Sequence, residues 1–423
     1  MKLTCAPVDY KSTEEDDGLR VILYGCPEKE NQGSVGSGLK ECIQRAKLGP
    51  AARAWDLLSI ALSVTAADVA GHRRASPDGW TRQFELVIAT EDPAFWNEQR
   101  KLVNSVLEFL TTDTWNVRFT DGGVHPTLSK AVRPKDDCVL LLSGGLDSLV
   151  GGIDLIASQR RPYSVSQVVV GEAENQRQFA QSLGGGLLHL QINHNVRVPD
   201  PESPPTQRAR SLIFLAYGVL VATSLERYQS EDVALYVCEN GFISVNPPLT
   251  GARLGSLSTR TTHPNFLVLV QKLLDTALLK VRIVNPYRSM TKGEMLSECR
   301  DQVFLRERAS QSISCGRYRR FGHNHCGRCV PCLVRRAAFL KWGVSDHTNY
   351  IYQNLGVDDE HHARSDDVRA VAMALQEACS LGIQEWIGTA LSTATLTDVP
   401  SLEAMIGRGL NELAALFCAY GVQ

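Results

Sequence analysis

The pattern of apolar and polar positions changes character near residue 130. Before it, residues 20–25 (RVILYG) and 83–89 (QFELVIA) read as strands, while residues 52–72 place apolar side chains at helical spacing. A second helix is predicted over residues 93–110, carrying Phe95, Trp96, Leu102 and Val106. Residues 27–38, with clustered Gly and Ser, read as a loop. These elements predict an α+β unit over residues 1–130, in which no catalytic motif stands out.

From Asp137 onward, short continuous apolar runs alternate with helical stretches. Residues 139–142 (VLLL), 166–171 (SQVVVG), 187–192, 233–238 and 281–285 are the predicted strands. Helices are predicted to residue 158, over 174–183 and over 209–228, the last after a proline-rich loop with Pro199, Pro201, Pro204 and Pro205. Short apolar strands separated by helices predict a parallel sheet covered on both faces. We set this unit at residues 131–305, followed by a cysteine-rich segment at 306–342 and a helical region at 343–423. Amphipathic helices are predicted there over 365–381 and 402–420.

Composition narrows the picture. The 423 residues carry 44 Lys plus Arg against 46 Asp plus Glu, a net charge of −2 that excludes a polybasic nucleic-acid coat. Nucleic acid is therefore not expected as a partner. The longest apolar stretch, residues 57–70, is broken by Ser, Thr and Asp68 and falls short of the ~20 residues a bilayer needs. No apolar signal segment opens the sequence, so a soluble, cytoplasmic protein without membrane contact is expected.

Of the 12 cysteines, Cys315, Cys326, Cys329 and Cys332 are packed together, with Gly327 and Pro331 between them. Two-residue spacers let neighbouring thiolates reach one tetrahedral Zn²⁺, and four such ligands close a structural site. An iron–sulfur cluster uses the same residue type and is the alternative. His323 and His325 sit alongside. Arg306, Arg308, Arg317, Arg319, Arg320, Arg328, Arg335 and Arg336 surround the segment, either compensating the thiolates or forming a solvated face.

The most specific string is Ser143-Gly144-Gly145-Leu146-Asp147-Ser148, directly after the strand VLLL and directly before a helix. Backbone N–H groups of such a loop converge on one point, where the helix dipole and the Ser143 and Ser148 hydroxyls favour a phosphate. The alternative is a plain glycine turn. No Gly-Lys-Ser/Thr follows, so this is not a Walker A loop.

The string resembles the pyrophosphate loop of the PP-loop ATP pyrophosphatase superfamily. Together with the CGRCVPC segment it resembles QueC, the 7-cyano-7-deazaguanine synthase family, over about residues 137–340; ENQRQFAQSL, Arg210 and NPYRSMTKGEML agree with that family's pattern. The resemblance implies an α/β fold with an adenine nucleotide alpha hydrolase-like parallel sheet. It implies ATP bound by Ser143, Gly144, Gly145, Leu146, Asp147, Ser148 and Arg210, with Asp147, Ser148 and Lys292 as catalytic residues. Mg²⁺ is expected for charge neutralisation, with Asp147 as a ligand directly or through water, and Zn²⁺ on Cys315, Cys326, Cys329 and Cys332. Arg210 and Lys292 are anion contacts by family position, surface charges otherwise. The segment around Tyr236–Phe242 is expected to receive a flat base.

Family members adenylate 7-carboxy-7-deazaguanine, after which a nitrogen nucleophile gives an amide. This chain departs from them in its N-terminal unit, its helical tail, Ser211 after Arg210 where Asn is usual, and STRTTHPNF over residues 258–266. The long form looks like the QueC-like proteins of bacterial antiphage islands, such as QatC of the Qat system and its type IV CBASS relative. That resemblance implies transfer of the deazaguanine to the N-terminal amine of a partner protein from the same defence operon. Alternatives are a synthase of the free nitrile base, a non-catalytic nucleotide-binding scaffold, and a tRNA thiolase, for which Cys238 is the nearby cysteine.

Overall fold

The computed structural model describes residues 1–11, 18–126, 131–203, 206, 208–253, 260–356, 367–391 and 398–422. Pro204 and Pro205, Ser258 and Thr259 of the substituted loop, and Ser365 and Asp366 at the head of a predicted helix lie outside the described residues.

The first sheet holds β1 (Lys2–Ala6), β2 (Leu19–Leu23), β3 (Gly33–Val35), β4 (Gln83–Ala89) and β5 (Thr114–Thr120) in the order β3-β2-β1-β4-β5. All four pairings are parallel. Helices α1 (Leu39–Arg45), α2 (Ala52–Ala70), α3 (Pro93–Glu98) and α4 (Arg100–Thr111) accompany it. The expected α+β mixture is thereby refined to a parallel sheet. Along β4 and β5 buried and exposed positions alternate, so this part of the sheet presents one face to solvent. The helix expected over 93–110 is two helices, because Gln99, at φ −85° and ψ 2°, leaves helical backbone between Glu98 and Arg100.

The second sheet holds β6 (Cys138–Leu141), β7 (Pro162–Gln167), β8 (His189–Ile192), β9 (Val233–Tyr236) and β10 (Val281–Val284), ordered β10-β9-β6-β7-β8. It too is parallel throughout. Helices α5 (Leu146–Ala157), α6 (Ala173–Ser182), α7 (Arg210–Ala222), α8 (Gly241–Ser244), α9 (Pro264–Thr276), α10 (Lys292–Glu298) and α11 (Gln302–Arg308) follow its strands. β6 and β7 are buried at every position, the mark of a sheet covered on both faces. The second strand lies four residues earlier than the pattern indicated, with Pro162 at its first position, where a missing N–H is tolerated. α7 stops at Ala222 instead of residue 228, because the Thr223 and Ser224 hydroxyls donate to the Leu220 carbonyl and compete with further helix.

The sheets are joined through helices. α2 packs on α7 and α4 on α9, and one hydrophobic core runs through both layers. Nearly every side chain of α2 and α7 is buried, so neither helix has a solvent face. Ser34 in β3 also pairs antiparallel with Arg197 beyond β8. The chain closes with α12 (Val330–Trp342), α13 (Asp367–Leu381), α14 (Ile383–Leu391) and α15 (Val399–Ala419). These last helices share a core of their own with α8 and α12. No helix among the described residues is long and apolar enough to cross a membrane.

Candidate active site

In the second sheet the strand order reverses at β6, and the carboxyl ends of strands flanking such a reversal form a crevice. The Ser143–Ser148 loop leaves β6 at this point. Gly144 sits at φ +86°, a left-handed conformation that penalises any side chain. The Gly144 carbonyl accepts from Ile313 N (3.0 Å), and the Ser143 carbonyl accepts from the Gln176 amide (3.1 Å). The Ser143 and Ser148 hydroxyls lie 3.1 Å apart. No side chain caps α5 at Gly145, which leaves the positive end of the helix open.

A cavity of about 370 Å³ opens over the loop, lined by Ser143, Gly145, Ser148, Arg210, Ser211 and Glu239 among others. This volume suits a small-molecule site, about 300–1,000 Å³. The Ser211 hydroxyl is buried in its wall without a partner among the described residues, and a ligand group would satisfy it. Arg210, the first residue of α7, holds the Glu172 carboxylate at 3.2 Å and leans on Gln167 at 3.4 Å. An uncapped helix start, two hydroxyls and an arginine are the donor set a nucleotide's phosphates require.

Asp147 and Lys292 are placed behind the loop and are not among the described residues lining the cavity. They form an ion pair in which each side chain is 7% exposed. The other Asp147 oxygen accepts the Asn240 backbone N–H (3.1 Å) and side-chain amide (2.7 Å). Burial pushes the Asp147 carboxyl upward, but the Lys292 ammonium and the donors from Glu239 and Asn240 outweigh it and hold Asp147 well below the usual carboxylate range. Glu239 behaves oppositely. Burial first, and then the Asp147 charge, raise it well above the ordinary value. Glu239 lines the cavity next to the loop, as does Glu172, whose carboxylate Arg210 holds.

Of the segment expected to receive a base, Val237, Cys238 and Glu239 line the cavity, whereas Phe242 is buried beneath the C-terminal helices. Burial pushes the Cys238 thiol far above its ordinary value, an environment that disfavours the thiolate.

Cys315, Cys326, Cys329 and Cys332 bring their sulfurs within 4.8 Å of one another, with Cys315–Cys329 and Cys326–Cys332 each at 3.9 Å. Four bonds of about 2.3 Å in a tetrahedron put sulfurs about 3.8 Å apart, so the cluster fits a single Zn²⁺. Thiolates that each bind a different iron would stand farther apart. Cys329 and Cys332 are fixed by the start of α12, and Gly327, at φ +87°, turns where a Cβ would meet the Tyr352 carbonyl at 2.5 Å. His325 lies outside the set; its ring accepts from Ser314 N (3.1 Å). Arg335, fully buried, donates to the Ser312 carbonyl and hydroxyl and to Ser314, and Arg336 to the Gly327, Tyr352 and Gln353 carbonyls. These arginines staple the segment from inside. Its stretch Ile313–Gly316 lies on the phosphate loop and, with Pro331, forms a wall of the cavity.

Of the residues singled out from the sequence, the structure brings Ser143, Gly145, Ser148 and Arg210 to one cavity and the four cysteines together, and sets Asp147 and Lys292 behind the loop. Glu239, Asn240 and Glu172, which follow the ends of β9 and β7, were not singled out from the sequence, nor was Gln176, which lies in α6 within ENQRQFAQSL.

Fold and loop together define an α/β protein with a Gly-rich loop between a parallel strand and a helix at the turning point of its sheet. Within it, residues 261–343 match the family model described as queuosine biosynthesis protein QueC. The chain is 25% identical over 237 residues to the 7-cyano-7-deazaguanine synthase of Rhizobium etli (strain CIAT 652), covering 50% of this chain and 91% of the relative. It is 26% identical over 239 residues to that of Rhizobium johnstonii, with coverage of 50% and 91%. A shorter stretch of 94 residues, 21% of this chain and 40% of the relative, is 32% identical to the synthase of Methanococcus maripaludis. No solved structure gives a significant match.

Proposed function

We propose that the chain is an ATP-dependent enzyme that adenylates the carboxylate of a 7-carboxy-7-deazaguanine-type base and passes the activated acyl group to an amine. The observation that carries this reading is the cavity over the Ser143–Ser148 loop, with an uncapped helix start, the unpartnered Ser211 hydroxyl and Arg210 around it. Bound at the loop, ATP with Mg²⁺ would supply the leaving group, pyrophosphate. Ser143, Ser148 and the first N–H groups of α5 would hold it, Arg210 would meet an anionic oxygen, and Glu239 would face the entering amine. Lys292 and Asp147, behind the loop, would fix its shape.

We assign the amine to the N-terminus of a partner protein of the same defence operon. What supports this is length. The Rhizobium synthases match half of this chain while nearly all of their own length is covered, leaving some two hundred residues for recruiting a protein acceptor. The second reading is a synthase of the free nitrile base using ammonia, favoured by the relatives' name.

The deciding experiment incubates the full chain with ATP, Mg²⁺ and 7-carboxy-7-deazaguanine, with ammonium in one arm and the neighbouring gene's protein in the other. A deazaguanine-sized mass increment on that protein's N-terminal peptide supports transfer to protein. Nitrile base in the ammonium arm alone supports the synthase. Absence of pyrophosphate in both arms overturns adenylation.

A further inference from the structure

The two residues that grip Asp147 stand at the starts of two helices. Asn240 caps α8, its side chain accepting from Ile243 N at 2.9 Å while its amide holds Asp147. Lys292 is the first residue of α10, whose cap Thr291 forms a reciprocal pair with Glu294. Both starts are held by one helix from the far end of the chain, α15. Its buried Glu412 accepts from the Thr291 hydroxyl through one oxygen and from Gly293 N (3.3 Å) through the other, bracketing Lys292 on both sides. One helical turn away, Arg408 binds Glu294 at 2.5 Å and the Ser289 carbonyl at 2.9 Å. On the same helix Gly409 lies flat on the Phe242 ring of α8, where a Cβ would come within 2.2 Å. α15 lies outside the residues matched by the family model.

We infer that Glu412 is a positioning residue for the phosphate loop: by holding the start of α10 it sets Lys292 against Asp147, and so makes the C-terminal helix part of the nucleotide site. A carboxylate is suited to this task, since two donors flanking one lysine need two acceptor oxygens from one side chain. An amide of the same size offers a single acceptor and turns an N–H toward one of the donors. The inference rests on reading the loop as a nucleotide site.

The test is ATP affinity of the full chain, by calorimetric titration with Mg²⁺, for Glu412→Gln, Asp147→Asn and the double variant. Positioning through Lys292 and Asp147 predicts that Glu412→Gln weakens binding about tenfold and that the double variant binds no more weakly than Asp147→Asn alone. Thr291→Val cuts the same link from the other side and is expected to match Glu412→Gln. Arg408→Ala loosens only the exposed tether and is expected to stay within twofold of the parent. Multiplying losses in the double variant, or an Arg408→Ala loss equal to that of Glu412→Gln, would reduce Glu412 to ordinary packing and overturn the inference. Should the parent chain itself bind no ATP, the nucleotide reading fails separately. The same cycle measured on urea-unfolding midpoints then decides, with additive midpoint shifts overturning the coupling of Glu412 to Asp147 and non-additive shifts sustaining it.

Discussion

Lys292 closes on Asp147 across 145 positions of chain, and the pair is buried behind the phosphate loop it shapes. The loop is therefore held from beneath by charge, while its upper surface is free to face a ligand.

Removing one partner of this pair leaves the other charge buried. Asp147→Ala is expected to lose pyrophosphate release and also about 3–5 kcal/mol of stability. Pairing it with Lys292→Met should restore part of the stability but none of the activity. Urea unfolding beside a pyrophosphate assay checks both. A fully stable Asp147→Ala chain would contradict the buried-pair geometry.

Gly144→Ala tests the loop itself. At φ +86° a side chain costs about 1–2 kcal/mol, and the Cβ would crowd Gln176 at 3.3 Å. We expect a lower melting temperature together with at least tenfold weaker ATP binding, measured by thermal melts with and without nucleotide. Unchanged affinity would show that the loop does not touch phosphate.

Cys329→Ser should empty the metal site and release the Ile313–Gly316 wall from the loop. The expected outcome is loss of about one zinc per chain by elemental analysis, with ATP affinity falling in step. Retained affinity in a metal-free chain would limit zinc to holding its own segment together.

Glu239→Gln keeps size and packing but removes a cavity-lining carboxyl next to the loop, the other, Glu172, being held by Arg210. Proton transfer of this kind contributes about 10²–10⁴-fold, so pyrophosphate release or amide formation should fall at least a hundredfold with the melting point unchanged. Comparison of both steps in one assay shows which of them Glu239 serves.

Acid should weaken the fold through His189 and His194. Burial lowers both to about 4 from an ordinary 6.5, with Arg177 and Arg210 respectively adding to the effect. Unfolded chains take up these protons below about pH 6.5 while the folded chain does not. Stability is thus complete above that pH and is lost as pH falls toward 4. Replacing both with Gln should flatten urea midpoints across this window, and an unaltered slope would remove these histidines from the account.

What the sequence revealed was chemistry that is local. The Ser143–Ser148 string and the four cysteines carry their meaning within a few residues, because a phosphate loop is built from consecutive N–H groups and a zinc knuckle from two-residue spacers. Long-range relationships were hidden. Nothing in the spacing of Glu239 or Asn240 says that they converge on Asp147, or that Glu412 meets Thr291 and Gly293 beside Lys292, since these contacts form only after the sheet and helices have assembled. β1, β3 and β5 also went unread: β1 begins at the second residue, β3 is three residues inside a Gly- and Ser-rich stretch, and β5 alternates buried and exposed positions that the reading passed over. Likewise, the position of the cysteine segment as a wall of the cavity follows from Ile313 meeting Gly144, a contact no motif encodes.

The burial of α2 on all sides has a consequence for how the chain comes into being. During synthesis this helix emerges with its own sheet but without α7, which covers its remaining face and lies some 150 residues downstream. At about 5–20 residues per second the gap lasts roughly ten to thirty seconds. Throughout that interval the nascent N-terminal half carries an apolar helix face exposed, which makes it a natural client for chaperones at the ribosome and a fragment prone to aggregation if translation stalls.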